Sequence, residues 1–157
     1  MRHLKLFNNF ILIFESEENS MKGRYFYPKM DKDDIMIKLA KEGKYDEFMQ
    51  VASEDIDYNN GTALRISIKY TDLNLVKKVV EAGANIYIRR SAPIIVACES
   101  LKVDILEYLL EKCENMPLSF QSIIFWTNTT ESPNKMEKSK LIISAKEIYE
   151  EKGWSTD

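Results

Sequence analysis

The stretch Val80-Glu81-Ala82-Gly83-Ala84-Asn85-Ile86-Tyr87-Ile88 ends one amphipathic run on a glycine and passes straight into alternating apolar residues. Upstream, Leu73, Leu75, Val76, Val79 and Val80 recur at the three- and four-residue spacings of one helix face, while Lys77, Lys78 and Glu81 fall outside that stripe. Gly83 accepts the left-handed conformation without a Cβ clash, so the helix is expected to stop within a residue or two of Ala82. Residues 84–88 are then expected to leave in an extended direction. A stripe this narrow needs a neighbour to bury it, which directs attention to the rest of the chain.

The same pattern recurs 30 residues later. Leu73, Leu75, Val76, Val79, Val80 and Glu81 map onto Val103, Ile105, Leu106, Leu109, Leu110 and Glu111. The preceding run repeats as well, with Ala63, Leu64, Ile66, Ser67 and Ile68 matched by Pro93, Ile94, Val96, Ala97 and Cys98. Agreement across two amphipathic runs and the turn between them marks an internal repeat. A more degenerate copy precedes these at an offset of 28, which carries Asp46 to Asn74, Phe48 to Val76 and Val51 to Val79. Its charged Lys41, Glu42, Lys44 and Glu47 suit a terminal copy whose outer face meets water. Beyond Pro117 the match decays. Residues 118–126 suit a first helix, 127–134 (TNTTESPN) read as a loop, and Leu141, Ile142, Ala145, Ile148 and Tyr149 form a last helical stripe.

A unit of about 30 residues with two short helices and an extended connector resembles the ankyrin repeat, whose usual length is roughly 33. Residues 61–86, GTALRISIKYTDLNLVKKVVEAGANI, are similar to that family's G-x-T-P-L-H-x-A-A opening, its I-V-K-L-L-L helix and its G-A-D ending. Thr62 and Leu64 keep the opening, Leu75 and Val76 the aliphatic pair, and Gly83, Ala84 and Asn85 the ending; Ala63 and Arg65 stand where the family has Pro and His. The second copy restores Pro93 but has Cys113 in place of Gly, so its C-cap is expected to shift to Asn115 ahead of Met116 and Pro117. The expected architecture is all-α: an ankyrin-like helical solenoid of about three repeats. The resemblance covers about residues 31–115, an atypical helical cap follows, and residues 1–30 precede as a non-repeat extension and connector.

The resemblance implies a non-catalytic protein-protein interaction module. In the ankyrin family the inter-repeat fingers and the exposed side of the first helices form a concave binding face. Carried over by position, that face comprises Arg65, Ile66, Lys69 and Tyr70 on one first helix, Val96 and Glu99 on the next, and Tyr87, Arg89 and Arg90 on the finger at residues 85–92. Tyrosine and arginine are the residue types that most often anchor interfaces. The competing reading makes Ile66 and Val96 core residues and Arg89 and Arg90 solubilising loop residues.

Composition narrows the remaining classes. The 157 residues, 45% hydrophobic and 30% charged, suit one globular domain. A formal net charge of −3 supplies no overall basic field, so nucleic acid is not the expected partner; a binder using Arg65, Lys69, Arg89 and Arg90 would reveal itself by a steep salt dependence. The single histidine, His3, removes histidine-based triads, and Cys98 and Cys113 form neither a CxxC motif nor a zinc pattern. No phosphate-binding loop is present, and nothing selects a catalytic pair among the 25 acidic residues. No enzyme activity, metal, cofactor or small-molecule substrate is therefore expected.

The run FILIF at residues 10–14 is far short of the ~20 residues of a membrane span, and Asn8 and Asn9 interrupt a signal-peptide core, so a cytoplasmic setting is expected. Ile13-Phe14-Glu15, followed by SEEN, is similar to the capsid-targeting leaders of internal head proteins in tailed phages, which are cleaved after that glutamate. The alternative is an N-terminal helix or strand that packs on the first repeat or links it to a partner. Two further functions stay open: a packaged virus-particle protein with a leader cleaved after Glu15, located in host cytoplasm or virion, and a structural protein that associates with itself.

Overall fold

Four helices begin on a side chain that accepts the first free amides, the arrangement that short polar residues provide at an N-cap. Asp31 accepts from the Asp33 amide at 2.9 Å at the start of α1 (Lys32–Lys41), and Asp72 accepts from Asn74 at 3.0 Å at the start of α4 (Leu73–Glu81). Ser119 and Asn134 do the same for α7 (Phe120–Thr129) and α8 (Lys135–Glu151). Between them lie α2 (Tyr45–Ala52), α3 (Tyr58–Tyr70), α5 (Ile88–Glu99) and α6 (Val103–Lys112). The computed structural model describes residues 31–157, and all regular structure among them is helical. The readings placed on residues 1–30, including cleavage after Glu15, lie outside the described residues.

The helices form consecutive pairs. First helices α1, α3, α5 and α7 pack side by side in chain order, second helices α2, α4 and α6 pack likewise, and α8 closes the end against both α6 and α7. The 30-residue periodicity survives as burial: Leu64 and Ile94, Ser67 and Ala97, and Ile68 and Cys98 are all solvent-inaccessible. So are Leu75, Val76 and Val79, with Ile105, Leu106 and Leu109 beside them in the next pair. Packing of these equivalent residues between neighbours gives one continuous core that runs through the stack.

Gly83 does what its position requires. At φ +100° its amide donates to Val80 and that of Ala84 to Val79, the two bonds of a Schellman C-cap. The connector beyond it is not extended, contrary to the alternation in its sequence. Asn85 Oδ1 accepts from the Tyr87 amide at 2.9 Å and bends the chain, Ile86 turns into the core, and no strand is present among the described residues. Burial of Ile86 against the stack, not pairing with another strand, explains the apolar alternation.

Each inner pair then opens with one left-handed turn. Asn59, Asn60 and Gly61 have φ of 48°, 61° and 76°, and their equivalents Arg89, Arg90 and Ser91 have 49°, 56° and 61°. Right-handed helix follows at once, which puts Pro93 in the first turn where its missing amide costs nothing. The turns are tied together across pairs. Asp57 Oδ1 accepts from the Asn85 amide at 2.8 Å, and 30 residues later the Tyr87 hydroxyl accepts from the Asn115 amide at 3.1 Å. Left-handed backbone costs most L-residues about 1–2 kcal/mol, and asparagine much less. Arg89→Asn, which imports the first copy's residue, is therefore expected to raise stability by about 0.5–1 kcal/mol in urea unfolding.

Two boundaries differ from expectation. Helix α6 ends at Lys112 with Cys113 as its C-cap, so the cap does not move to Asn115; Cys113 leaves in extended conformation (ψ 126°) and needs no glycine. Lys152 Nζ satisfies the carbonyls of Glu111 at 2.9 Å and Cys113 at 2.6 Å, replacing the missing Schellman bonds. In the segment TNTTESPN the helix runs on to Thr129, because Thr127 is buried and returns its hydroxyl to Ile123 at 2.7 Å.

Candidate functional site

Six of the nine residues assigned to the binding face come together around one groove. Arg65, Ile66, Lys69 and Tyr70 from α3 and Val96 and Glu99 from α5 line a depression of about 480 Å³, which Asp33 and Ile37 of α1 complete. Side-by-side packing of α1, α3 and α5 creates it, since equivalent faces of the three first helices point the same way. Ile66 is buried and Val96 half-buried, so the two are both core and groove floor, and the competing reading is met in part.

The groove's polar groups are unevenly engaged. Arg65 Nη2 donates to the Asn59 carbonyl at 3.1 Å and the Thr62 hydroxyl at 3.2 Å, so its guanidinium braces the left-handed turn. Its Nε and Asp33 Oδ1 are buried and have no partner among the described residues. Lys41 and Lys69 place their ammonium groups 4.9 and 5.4 Å from the centre of the Tyr70 ring, a cation–π arrangement beside the groove that Tyr70 lines.

The three finger residues stand apart from the groove. Tyr87 is 40% exposed, but its hydroxyl both accepts from the Asn115 amide and donates to the Asn115 carbonyl at 3.2 Å, a structural duty. Arg89 and Arg90 are exposed on the left-handed turn. Sequence reasoning missed Asp33 and Ile37. Ile37 precedes Arg65 by 28 residues, the offset that had already revealed the first copy, so the signal was there to use.

Among the described residues no group of three or more His, Cys, Asp or Glu side chains could hold a metal, and no helix is long and apolar enough to cross a membrane. Burial pushes the Cys98 thiol up to about 12, the reverse of an activated thiolate, and pushes the Tyr149 hydroxyl up as well. The folded chain keeps these protons while the unfolded chain sheds the thiol proton above about pH 9 and the phenol proton above about pH 10, their ordinary values. The stabilisation is thus complete below pH 9 and falls as pH rises towards 12, by about 1.4 kcal/mol per pH unit for the thiol from pH 9 and for the phenol from pH 10. Urea midpoints measured from pH 8 to 11 are expected to show this slope, and Cys98→Ala to flatten its first part.

Comparison with protein-family models, with curated proteins and with solved structures finds no match for this chain.

Proposed function

We propose that the chain is a small helical solenoid of the ankyrin kind, acting in the cytoplasm without catalysis by binding a protein partner across its first helices. The observation that carries this reading is the convergence of Arg65, Ile66, Lys69, Tyr70, Val96 and Glu99 on a single groove. Those residues were selected by repeat position alone. The groove combines an apolar floor with a tyrosine edged by two lysines, a composition suited to a peptide or helix with mixed apolar and acidic character. The test is affinity capture from lysate of the native source, with the intact chain and a Lys69→Glu, Tyr70→Ala variant as baits. Lys69 is exposed and Tyr70 half-buried against the core, so circular dichroism first checks that the variant folds; loss of one captured protein by the folded variant supports the reading, and equal capture by both baits sinks it.

Self-association is a second reading, favoured by the last helix pair. Phe125 and Ile143 are 60% and 58% exposed there, more apolar surface than an end cap needs. Sedimentation of the intact chain and Phe125→Glu would separate the readings, since only a self-associating protein changes mass.

A further inference from the structure

The groove continues as two parallel rows across the first helices. Leu64, Ile94 and Ile123 are the equivalent inaccessible residues of α3, α5 and α7, and two positions on from each come Ile66, Val96 and Phe125. Along this apolar row exposure climbs from 6% at Ile66 to 60% at Phe125. Three positions further, on the same side of each helix, stand Lys69, Glu99 and Asn128, and Lys41 extends this second row onto α1 at the offset of 28. All four are exposed, and Lys41, Lys69 and Glu99 make no ion pair among the described residues.

We infer that the partner docks an amphipathic helix along these rows, one heptad to each of α3, α5 and α7. Its apolar residues meet Ile66, Val96 and Phe125, an acidic residue lies between Lys41 and Lys69, and a basic residue one heptad on meets Glu99. The inference deepens the reading of the groove as a protein-binding face and rests on it.

Spacing selects a helix. Packed helices stand about 8–10 Å apart, so each row repeats at about that interval along the stack. Seven residues of α-helix advance about 10.5 Å and return nearly to the same face, which brings positions i, i+7 and i+14 to the three apolar residues in turn. An extended segment loses this register. Three of its residues cover about 10 Å, but the third side chain then lies on the opposite face, and steps of two or four residues fall at about 7 or 13 Å.

Charge sets the alignment. The second row reads lysine, lysine, glutamate, asparagine from α1 to α7, and α7 contains no charged residue. The ammonium groups of Lys41 and Lys69 stand 4.9 and 5.4 Å from the centre of the Tyr70 ring, so one carboxylate beside that ring meets both. A slide by one helix along the stack would set that carboxylate on Glu99, and such like-charge contacts exclude wrong registers. The uncharged end then falls on α7, where Phe125 is the large aromatic anchor.

The test uses the full chain and a fluorescently labelled synthetic peptide of about three heptads, alanine-rich so that it is helical alone. It carries leucine at i, i+7 and i+14, a glutamate beside the first leucine and a lysine beside the second. Fluorescence anisotropy is expected to show saturable binding, weakened about tenfold by Phe125→Glu in the chain. Exchange of the peptide's glutamate and lysine is expected to weaken binding about fivefold, and Lys69→Glu with Glu99→Lys in the chain to recover it. Both exchanges leave net charge unchanged, so recovery reports register and not bulk attraction. Equal binding of the exchanged peptide, equal binding of a peptide interrupted by proline, or no binding at all overturns the inference. Affinity capture with the Lys69→Glu, Tyr70→Ala variant keeps the two readings apart. Where the peptide fails but a captured protein still depends on Lys69 and Tyr70, the groove stands without the helix; where both fail, both readings are overturned.

Discussion

Tyr149→Ala is expected to lower the unfolding free energy by about 4 kcal/mol, a large part of the roughly 5–15 kcal/mol available to a domain of this size. The side chain is solvent-inaccessible, with its ring centre 5.6 Å from that of Phe120 and 5.1 Å from that of Trp154. Truncation empties a cavity between α7, α8 and the C-terminal segment, and removal of a large aromatic from such a site costs about 3–5 kcal/mol. The hydroxyl adds to this. It donates to the Leu118 carbonyl at 2.7 Å, across the point where the chain enters the last pair. Tyr149→Phe removes only that bond and is expected to cost about 1 kcal/mol. Urea unfolding followed by circular dichroism gives both values. A cost below 1 kcal/mol for the alanine variant would mean that the last pair does not pack on the stack.

Gly61→Val is expected to cost about 3 kcal/mol, from two sources that can be separated. At φ +76° a β-branched residue is strained by about 1–2 kcal/mol. A Cβ at this position also stands 2.8 Å from Cγ2 of Ile88, which begins the following pair, and forced overpacking costs about 1–3 kcal/mol. Ile88 cannot swing away freely, because its Cγ2 hangs directly on a branched Cβ. Gly61→Ala combined with Ile88→Ala isolates the contact: the double variant is expected to be more stable than the sum of the single changes predicts. Strict additivity would place the whole cost in the backbone. The equivalent Ser91 shows how the second copy tolerates a side chain here, since its hydroxyl turns to the Pro117 carbonyl at 2.9 Å.

Helices and their register were legible because apolar periodicity reports burial directly. The centre of the stripe, Leu75, Val76 and Val79, and its copy, Ile105, Leu106 and Leu109, is inaccessible, with Leu73, Val80 and Val103 half-buried at the edges. The connector was misread for a related reason. Ile86 and Ile88 alternate like a strand, yet alternation records only which side chains meet the core, and Asn85 together with three left-handed residues decides the path. Arg89 and Arg90 concealed that turn, since neither residue type signals positive φ as Asn59, Asn60 and Gly61 do. The C-cap at Cys113 was unreadable because the group that completes it, Lys152, lies 39 residues away. Two-thirds of the candidate site followed from the same logic: first-helix positions share a face by symmetry of the repeat and met in the groove. The finger positions did not join them: the hydroxyl of Tyr87 is taken by Asn115, and Arg89 and Arg90 stand exposed on the left-handed turn.

The central claim is that a helix pair of about 30 residues is the structural unit and that each pair hands its turn to the next by one equivalent hydrogen bond. Nuclear Overhauser effects in the full chain test it most directly. The account predicts contacts from the Tyr87 ring to the Asn115 amide and from the Asp57 Cβ protons to the Asn85 amide, two links 28 residues long. Absence of either link, or sequential strand-type effects through residues 84–88, would contradict the repeating unit and the binding face built upon it.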